Sequence, residues 1–340
     1  MKRGARLFVI AGLLSFPSLS HATHAQEIRH YFFVGMDREK LHDTAFLNTP
    51  ALEGAQVAYF WKQLEHEKDE YDFSLIREDL AFLRSHGKKL FIQLQDVTFR
   101  PALNSVPRYL IQDTVYHGGA ATQYRIKGDD EKTATPLGWV TRRWDPAVQD
   151  RLGKLLFALG KEFDGRVEGI NSEESSVSFG ETGALFPAGF NPIVYRDALI
   201  ANMRTMRRAF PTSVVMQYAN FMPGEWRPTN DRGYLVSVYR AAREARVGLG
   251  GPDLLPHRPG QLGSSYPLLR EAAGIVPTGI AVQDGNFADL DPATGQPVTI
   301  ENLFAFARDS LKVTYIFWGT EEPYYSRQVI PFLRALSTKR

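Results

Sequence analysis

The chain predicts an α/β fold in which eight parallel strands close into one barrel with helices outside. Three observations carry this. Residues 54–96, GAQVAYFWKQLEHEKDEYDFSLIREDLAFLRSHGKKLFIQLQD, read as strand, loop, helix and strand, the unit that builds a parallel sheet covered by helices. Apolar runs of strand length recur eight times along the sequence, the number that closes a small barrel. The length of 340 residues suits one barrel of about 250 residues with loop insertions.

The first strand is expected at Tyr31 to Met36 and the second from Gln56 to Trp61. A charged loop follows, and Tyr71-Asp72-Phe73-Ser74 opens a helix that stops at Gly87. Leu90 to Gln95 is the third strand, Arg166 to Asn171 the fourth, and Ser213 to Asn220 the fifth. The sixth, Val247 to Gly251, is short and rich in glycine. Thr278 to Gln283 and Val313 to Trp318 complete the set. Between them lie helix signals. Asp145-Pro146 supplies an N-cap and a first-turn proline before Val148, Leu152, Leu155 and Leu156. Pro192 to Phe210 carries Tyr195, Leu199, Met203 and Met206 at helical spacing, and Thr299 to Asn302 leads into Leu303, Phe304 and Leu311. The fold class is thus a single (β/α)8 barrel of the TIM type. Its one long insertion is a loop after strand 3, irregular from Val97 to Arg143. Loops of that length inside compact domains are usually functional or mobile. This one holds Tyr109, Tyr116, Tyr124, Trp139 and Trp144. These aromatics suit stacking on the apolar faces of sugar rings, and equally a satellite core that keeps the loop folded.

Residues 1–25 read as a signal peptide. Lys2, Arg3 and Arg6 precede a short apolar stretch from Leu7 to Phe16, and small residues stand at Ser20 and Ala22 or at Thr23 and Ala25. The apolar run is too short for a stable membrane anchor. Cleavage leaves residues 26–340 as one barrel domain, exported to the periplasm or secreted. It also lowers the basic count from 40 to 37 against 38 acidic residues, a net charge of −1. A near-neutral chain offers no electrostatic footprint for nucleic acid. The absence of cysteine excludes a disulfide framework and a thiol nucleophile. No paired-histidine metal motif, phosphate-binding glycine loop or Gly-x-Ser-x-Gly occurs. No metal and no cofactor are expected. Oligomeric state is not legible.

In parallel barrels the chemistry sits at the C-terminal ends of the strands. Those ends offer Gln95 and Asp96 on the third strand, and Asn171, Glu173 and Glu174 on the fourth. Gln217, Tyr218 and Asn220 end the fifth. Asp253 follows the sixth, Gln283 and Asp284 end the seventh, and Trp318 ends the eighth before Glu321 and Glu322. The sharpest signal is VEGINSEESS, in which a strand runs directly into two adjacent glutamates.

The wording of residues 61–95 resembles the second-strand region of retaining glycosidases of clan A, the (β/α)8 barrels of the beta-galactosidase and cellulase type. It has Trp61, then Leu-Glu, a charged gap, Tyr-Asp-Phe, and Ile and Leu at helical spacing. The resemblance implies an exported glycoside hydrolase that cleaves O-glycosidic bonds of a poly- or oligosaccharide with a carboxylate pair. The alternative is a barrel of the cell envelope that binds glycan without cutting it. In the family the fourth strand ends in Asn-Glu, and that Glu is the acid/base. Here Ser172 separates Asn171 from Glu173. Glu174 is favoured over Glu173 because it shares side-chain parity with Ser172 and lies nearer the loop. The family's second carboxylate is a Glu ending the seventh strand. Here that place holds Gln283 and Asp284, so Asp284 is the expected partner and Glu321 or Glu322 the substitute. Trp318 matches the family's aromatic that floors the sugar site. Trp61, Gln95, Asp96, Asn171, Gln217, Tyr218, Asp253 and Gln283 complete the expected substrate contacts.

Overall fold

The computed structural model describes residue 1 and residues 27–128 and 130–337. The expected signal peptide lies outside the described residues. Eight parallel strands close a barrel: β1 (Arg29–Gly35), β2 (Leu52–Phe60), β3 (Lys89–Gln95), β4 (Gly169–Ser172), β5 (Val214–Tyr218), β6 (Gly248–Gly251), β7 (Thr278–Val282) and β8 (Tyr315–Trp318). Each pairs with its neighbours in chain order, and β8 closes on β1 through Tyr31 opposite Phe317. The outer layer includes α1 (Ser74–Ser85), α2 (Pro146–Phe163), α3 (Pro192–Ala209), α4 (Tyr234–Ala245), α5 (Ser265–Ala272), α6 (Ile300–Ala305) and α7 (Ile330–Ser337). None of the described helices is long and apolar enough to cross a membrane.

The helix starts follow the capping chemistry of the sequence. Asp145 accepts hydrogen bonds from the amides of Ala147 and Val148 ahead of α2, with Pro146 in the first turn. Asn191 does the same for α3 before Pro192. These side chains satisfy amides that have no partner within the helix.

Strand alternation divides the apolar side chains into two layers. Tyr31, Phe91, Met216, Tyr218, Ala281, Tyr315 and Phe317 fill the barrel interior. Their alternates, such as Phe32, Ile92, Ile170, Val215, Ile280 and Ile316, pack against the helices. Interior glycines make room for the large rings. A Cβ on Gly54 would come within 2.7 Å of the Tyr31 ring, and one on Gly169 equally close to that of Phe91. The N-terminal mouth is sealed by charge. Arg29 donates to Glu53 and Glu168, and the Tyr315 hydroxyl donates to Glu168 at 2.7 Å.

Two expectations need correction. The fourth strand begins at Gly169 rather than Arg166, because Phe163 to Val167 is a turn with Gly165 at φ +73°. The insertion after β3 is also not irregular. It forms a three-stranded antiparallel sheet from Val97–Thr98, Ala120–Lys127 and Asp130–Thr141. Its two longer strands, TQYRIK and DEKTATP among them, are largely polar in sequence and mix exposed, half-buried and buried positions. They therefore lack the apolar alternation by which a half-buried strand is recognised. Of the aromatics named above, Tyr116 and, just past the insertion, Trp144 join the main core, and the Trp139 indole donates to the Pro101 carbonyl.

Candidate active site

A cleft of about 610 Å³ opens at the C-terminal end of the barrel. Glu173 and Glu174 line it beside Gln93 and Gln95 from β3, Ala58 and Phe60 from β2, and Gln283 and Asp284 after β7. The loop after β1 adds Met36, Asp37 and Lys40, and the insertion adds Thr98, Phe99, Arg100 and Leu103.

Strand β4 sets the acidic pair. Ile170 points to the helix layer, so Asn171 points inward, where its side chain accepts from Gln56 at 2.9 Å. Glu173 continues that inward parity and is buried. Glu174 lies just beyond the strand, half-buried, and its carboxylate accepts from the Asn220 amide. Both residues reach the cleft because the chain leaves strand geometry after Ser172. Ser172, on the opposite parity, donates to Gln217 at 2.6 Å on the helix side.

Burial pushes the Glu173 carboxyl up to about 8, reinforced by the charges of Glu174 and Asp96. Burial likewise pushes Glu174 up to about 7, with Asp253 adding to the rise and the Asn220 hydrogen bond and Arg143 opposing it. Buried carboxyls ionise less readily than free ones, so both hold their protons further into the neutral range. Such a pair can donate a proton to a leaving oxygen.

Glu173, Glu174, Gln95, Gln283 and Asp284 thus share one cleft. Ala281 is an interior residue and Val282 an outer one, so alternation gives Gln283 the inward place at the end of β7. Asp284 is exposed on the rim. Asn171 and Tyr218 lie beneath the cleft, bridged by the Gln56 amide. Asp96 is paired with Arg143 behind the glutamates, and Gln217 donates to the Glu173 carbonyl at 2.7 Å. Asp253 is held by the Asn286 amide at 2.9 Å. The two tryptophans stand elsewhere. Trp61 is fully buried and donates to Glu65, and Trp318 donates to His30 and packs against Phe332 in the helix layer. Both belong to the outer of the two layers, so neither lines the cleft. Glu321 accepts from the Gly285 amide, and Glu322 from the Ser326 hydroxyl.

Phe33, Phe60, Gln93, Lys40, Phe99 and Arg100 line the cleft without having been expected there. Gln93 was legible in principle, since a polar residue inside the apolar run LFIQLQ shares the parity of Gln95. The loop residues carried no local signal.

No protein-family model matches this chain, and no curated protein matches it. Solved structures do. Xylanase 10B from Thermotoga petrophila RKU-1, solved in complex with xylobiose, is 13% identical over 91% of this chain and 87% of its own, with a TM-score of 0.47. A GH10 endoxylanase retrieved from a sugarcane soil metagenome is 12% identical over 86% of each chain, with a TM-score of 0.50. A polyextremophilic beta-galactosidase from the Antarctic haloarchaeon Halorubrum lacusprofundi is 12% identical over 86% of this chain, with a TM-score of 0.51. This chain spans 52% of that enzyme's length. At such identity the likeness is one of fold: the chain carries the (β/α)8 barrel on which that endoxylanase and that beta-galactosidase are built.

Proposed function

We propose that this protein is an exported glycoside hydrolase, acting on O-glycosidic bonds of a poly- or oligosaccharide in the cleft above β4. The observation that carries the reading is the Glu173–Glu174 pair. Two carboxyls raised to about 8 and about 7 stand at the C-terminal end of a barrel strand and line a cleft of about 610 Å³. Cleavage needs one carboxyl to protonate the leaving oxygen and another to attack carbon or activate water. Glu174, fixed by Asn220, is the acid in this reading, with Glu173 beside it. Asp284, across the cleft, is the second carboxylate. Phe33, Phe60 and Phe99 offer apolar faces to the sugar. Residues 26–340 act as a single domain after removal of the leader.

A second reading has its own support. Gln283 takes the inward place at the end of β7, and an amide can neither attack carbon nor activate water as a base. A barrel that binds glycan without cutting it fits that position.

Purified protein screened against a panel of bacterial and plant glycans, with released reducing ends as the readout, separates the two. Hydrolysis is expected, and Glu174→Gln should lower kcat by about 10² to 10⁴ with the fold intact. Asp284→Asn tests the partner. Binding without release would support the second reading. Full activity in both Glu173→Gln and Glu174→Gln would remove the pair from the mechanism.

A further inference from the structure

The insertion after β3 leaves the barrel at Asp96 and returns at Arg143, and these two residues clasp each other. The Arg143 guanidinium donates to both carboxylate oxygens of Asp96, from Nε at 2.8 Å and Nη2 at 2.5 Å. The side chains are 2% and 4% exposed. Thr141 closes the same neck, donating its amide and hydroxyl to the Asp96 carbonyl at 3.0 and 2.8 Å. The clasp also reaches the acidic pair. Arg143 Nη1 donates to the Glu174 carbonyl at 3.0 Å and to the Tyr195 hydroxyl at 3.1 Å, and Tyr195 donates to the Ser175 carbonyl at 3.1 Å. Gln217 holds the Glu173 carbonyl. Three consecutive carbonyls, those of residues 173, 174 and 175, are therefore each gripped by a buried side chain from a different element. A turn that only had to leave a strand would not need that.

We propose that Arg143 and Asp96 are positioning residues for the Glu173–Glu174 pair, Arg143 fixing the Glu174 peptide and Asp96 cancelling the cationic charge that this brings beneath two carboxyls. The proposal rests on the reading of that pair as the working acid. An unneutralised guanidinium here would draw protons off both glutamates. The charges that act on them agree: Asp96 raises Glu173, and Arg143 lowers both. The other charged groups facing the pair are Asp253 beside Glu174 and, on the cleft walls, Asp37, Lys40, Arg100 and Asp284. Lys40 is engaged with Asp37 and Thr320.

Asp96→Asn keeps the size of the side chain and one acceptor for Arg143, and removes its negative charge. Carboxyl-carbon NMR titration of the full chain, assigned with Glu173→Gln and Glu174→Gln, reads the result without any substrate. The expected outcome is that the pair titrates lower by about one pH unit or more, while the double variant Asp96→Asn/Arg143→Met returns to within about half a unit of the parent. If a glycan is cleaved, the alkaline limb of kcat should move down with the titration in Asp96→Asn. In the double variant kcat should fall with KM little changed, because the Glu174 peptide is released. Should Asp96→Asn not fold, the double variant alone decides, since a neutral pair of similar volume often replaces a buried ion pair without loss of stability. Titration unmoved in Asp96→Asn, or displaced by more than about one unit in the double variant, overturns the proposal. Failure to find a cleaved glycan counts against the hydrolase reading and leaves the titration result standing.

Discussion

At the residue scale the acidic pair works against stability. Glu173 has an ordinary value of 4.5 and titrates at about 8 in the fold. The folded chain therefore keeps a proton that the unfolded chain releases between those two values. The sign follows from linkage: stability is complete below about pH 4.5 and declines as pH rises towards 8. Glu173→Gln removes the titration and keeps the shape. Its melting temperature should exceed the parent's at pH 8 and match it near pH 4.5. The gain at pH 8 should be several kcal/mol and at most about 5, since one unit of displacement is worth about 1.4 kcal/mol. Equal stability at both pH values would show that burial does not tax this carboxyl. Loss of turnover with gain of stability in one variant is the pattern expected of a functional carboxyl.

At the element scale, the insertion after β3 and the loop after β4 are tied together in part by the side chain of Glu131. Glu131, on the long central strand of the insertion's sheet, accepts from the amides of Glu181 and Thr182 at 2.6 and 2.8 Å and from the Thr182 hydroxyl at 2.6 Å. The Tyr124 amide donates to the Ser178 carbonyl nearby, and Ser178 donates back to the Tyr124 carbonyl. The two loops therefore form one wall above the β3–β4 end of the barrel. Glu131→Ala should speed amide exchange across residues 178–184 by about tenfold, the loss of a net hydrogen bond or two. Global stability should change little, because the latch lies at the surface. Hydrogen exchange followed by mass spectrometry, together with a urea melt, reads both. Unchanged exchange would mean that the Tyr124–Ser178 contacts suffice.

At the scale of the whole molecule, the barrel interior is an aromatic plug beneath a polar layer. Phe317 packs edge-on against Phe91 and lies among the rings of Tyr31, Tyr218 and Tyr315. Above them the Gln56 amide bridges Asn171 and the Tyr218 hydroxyl. Phe317→Ala would leave a cavity among rings held by different strands, where collapse is limited. It should cost about 3 to 5 kcal/mol, read as a lower urea midpoint with the unfolding slope unchanged. A loss below about 1 kcal/mol would mean that the interior repacks freely.

The barrel was legible because its determinants are local. Strand-length apolar runs, Asp145-Pro146, and a proline after Asn191 each act within a few residues, and the strands they predict are the strands that form. VEGINSEESS was legible for the same reason, since a strand ending in adjacent glutamates is a statement about one segment. The insertion was not, because many of the positions its strands bury are small or polar, such as Ala121, Gln123 and Thr141. The difference between Gln217 and Tyr218, or between Trp318 and Phe317, also lay beyond the sequence: a strand's periodicity gives two faces and does not say which is inside. That is decided when β8 closes on β1, and closure put Trp318 among the helices and Glu173 over the cleft. The clasp of Arg143 on Asp96 could not be foreseen either. It joins residues 47 apart, and a charge's partner at that separation is chosen by the path of the chain between them. Sequence alone determined the strands, their order and the acidic segment. Tertiary structure decided which side chains face the axis and which distant charges set their protons, because inward direction and long-range neighbours exist only once the barrel has closed.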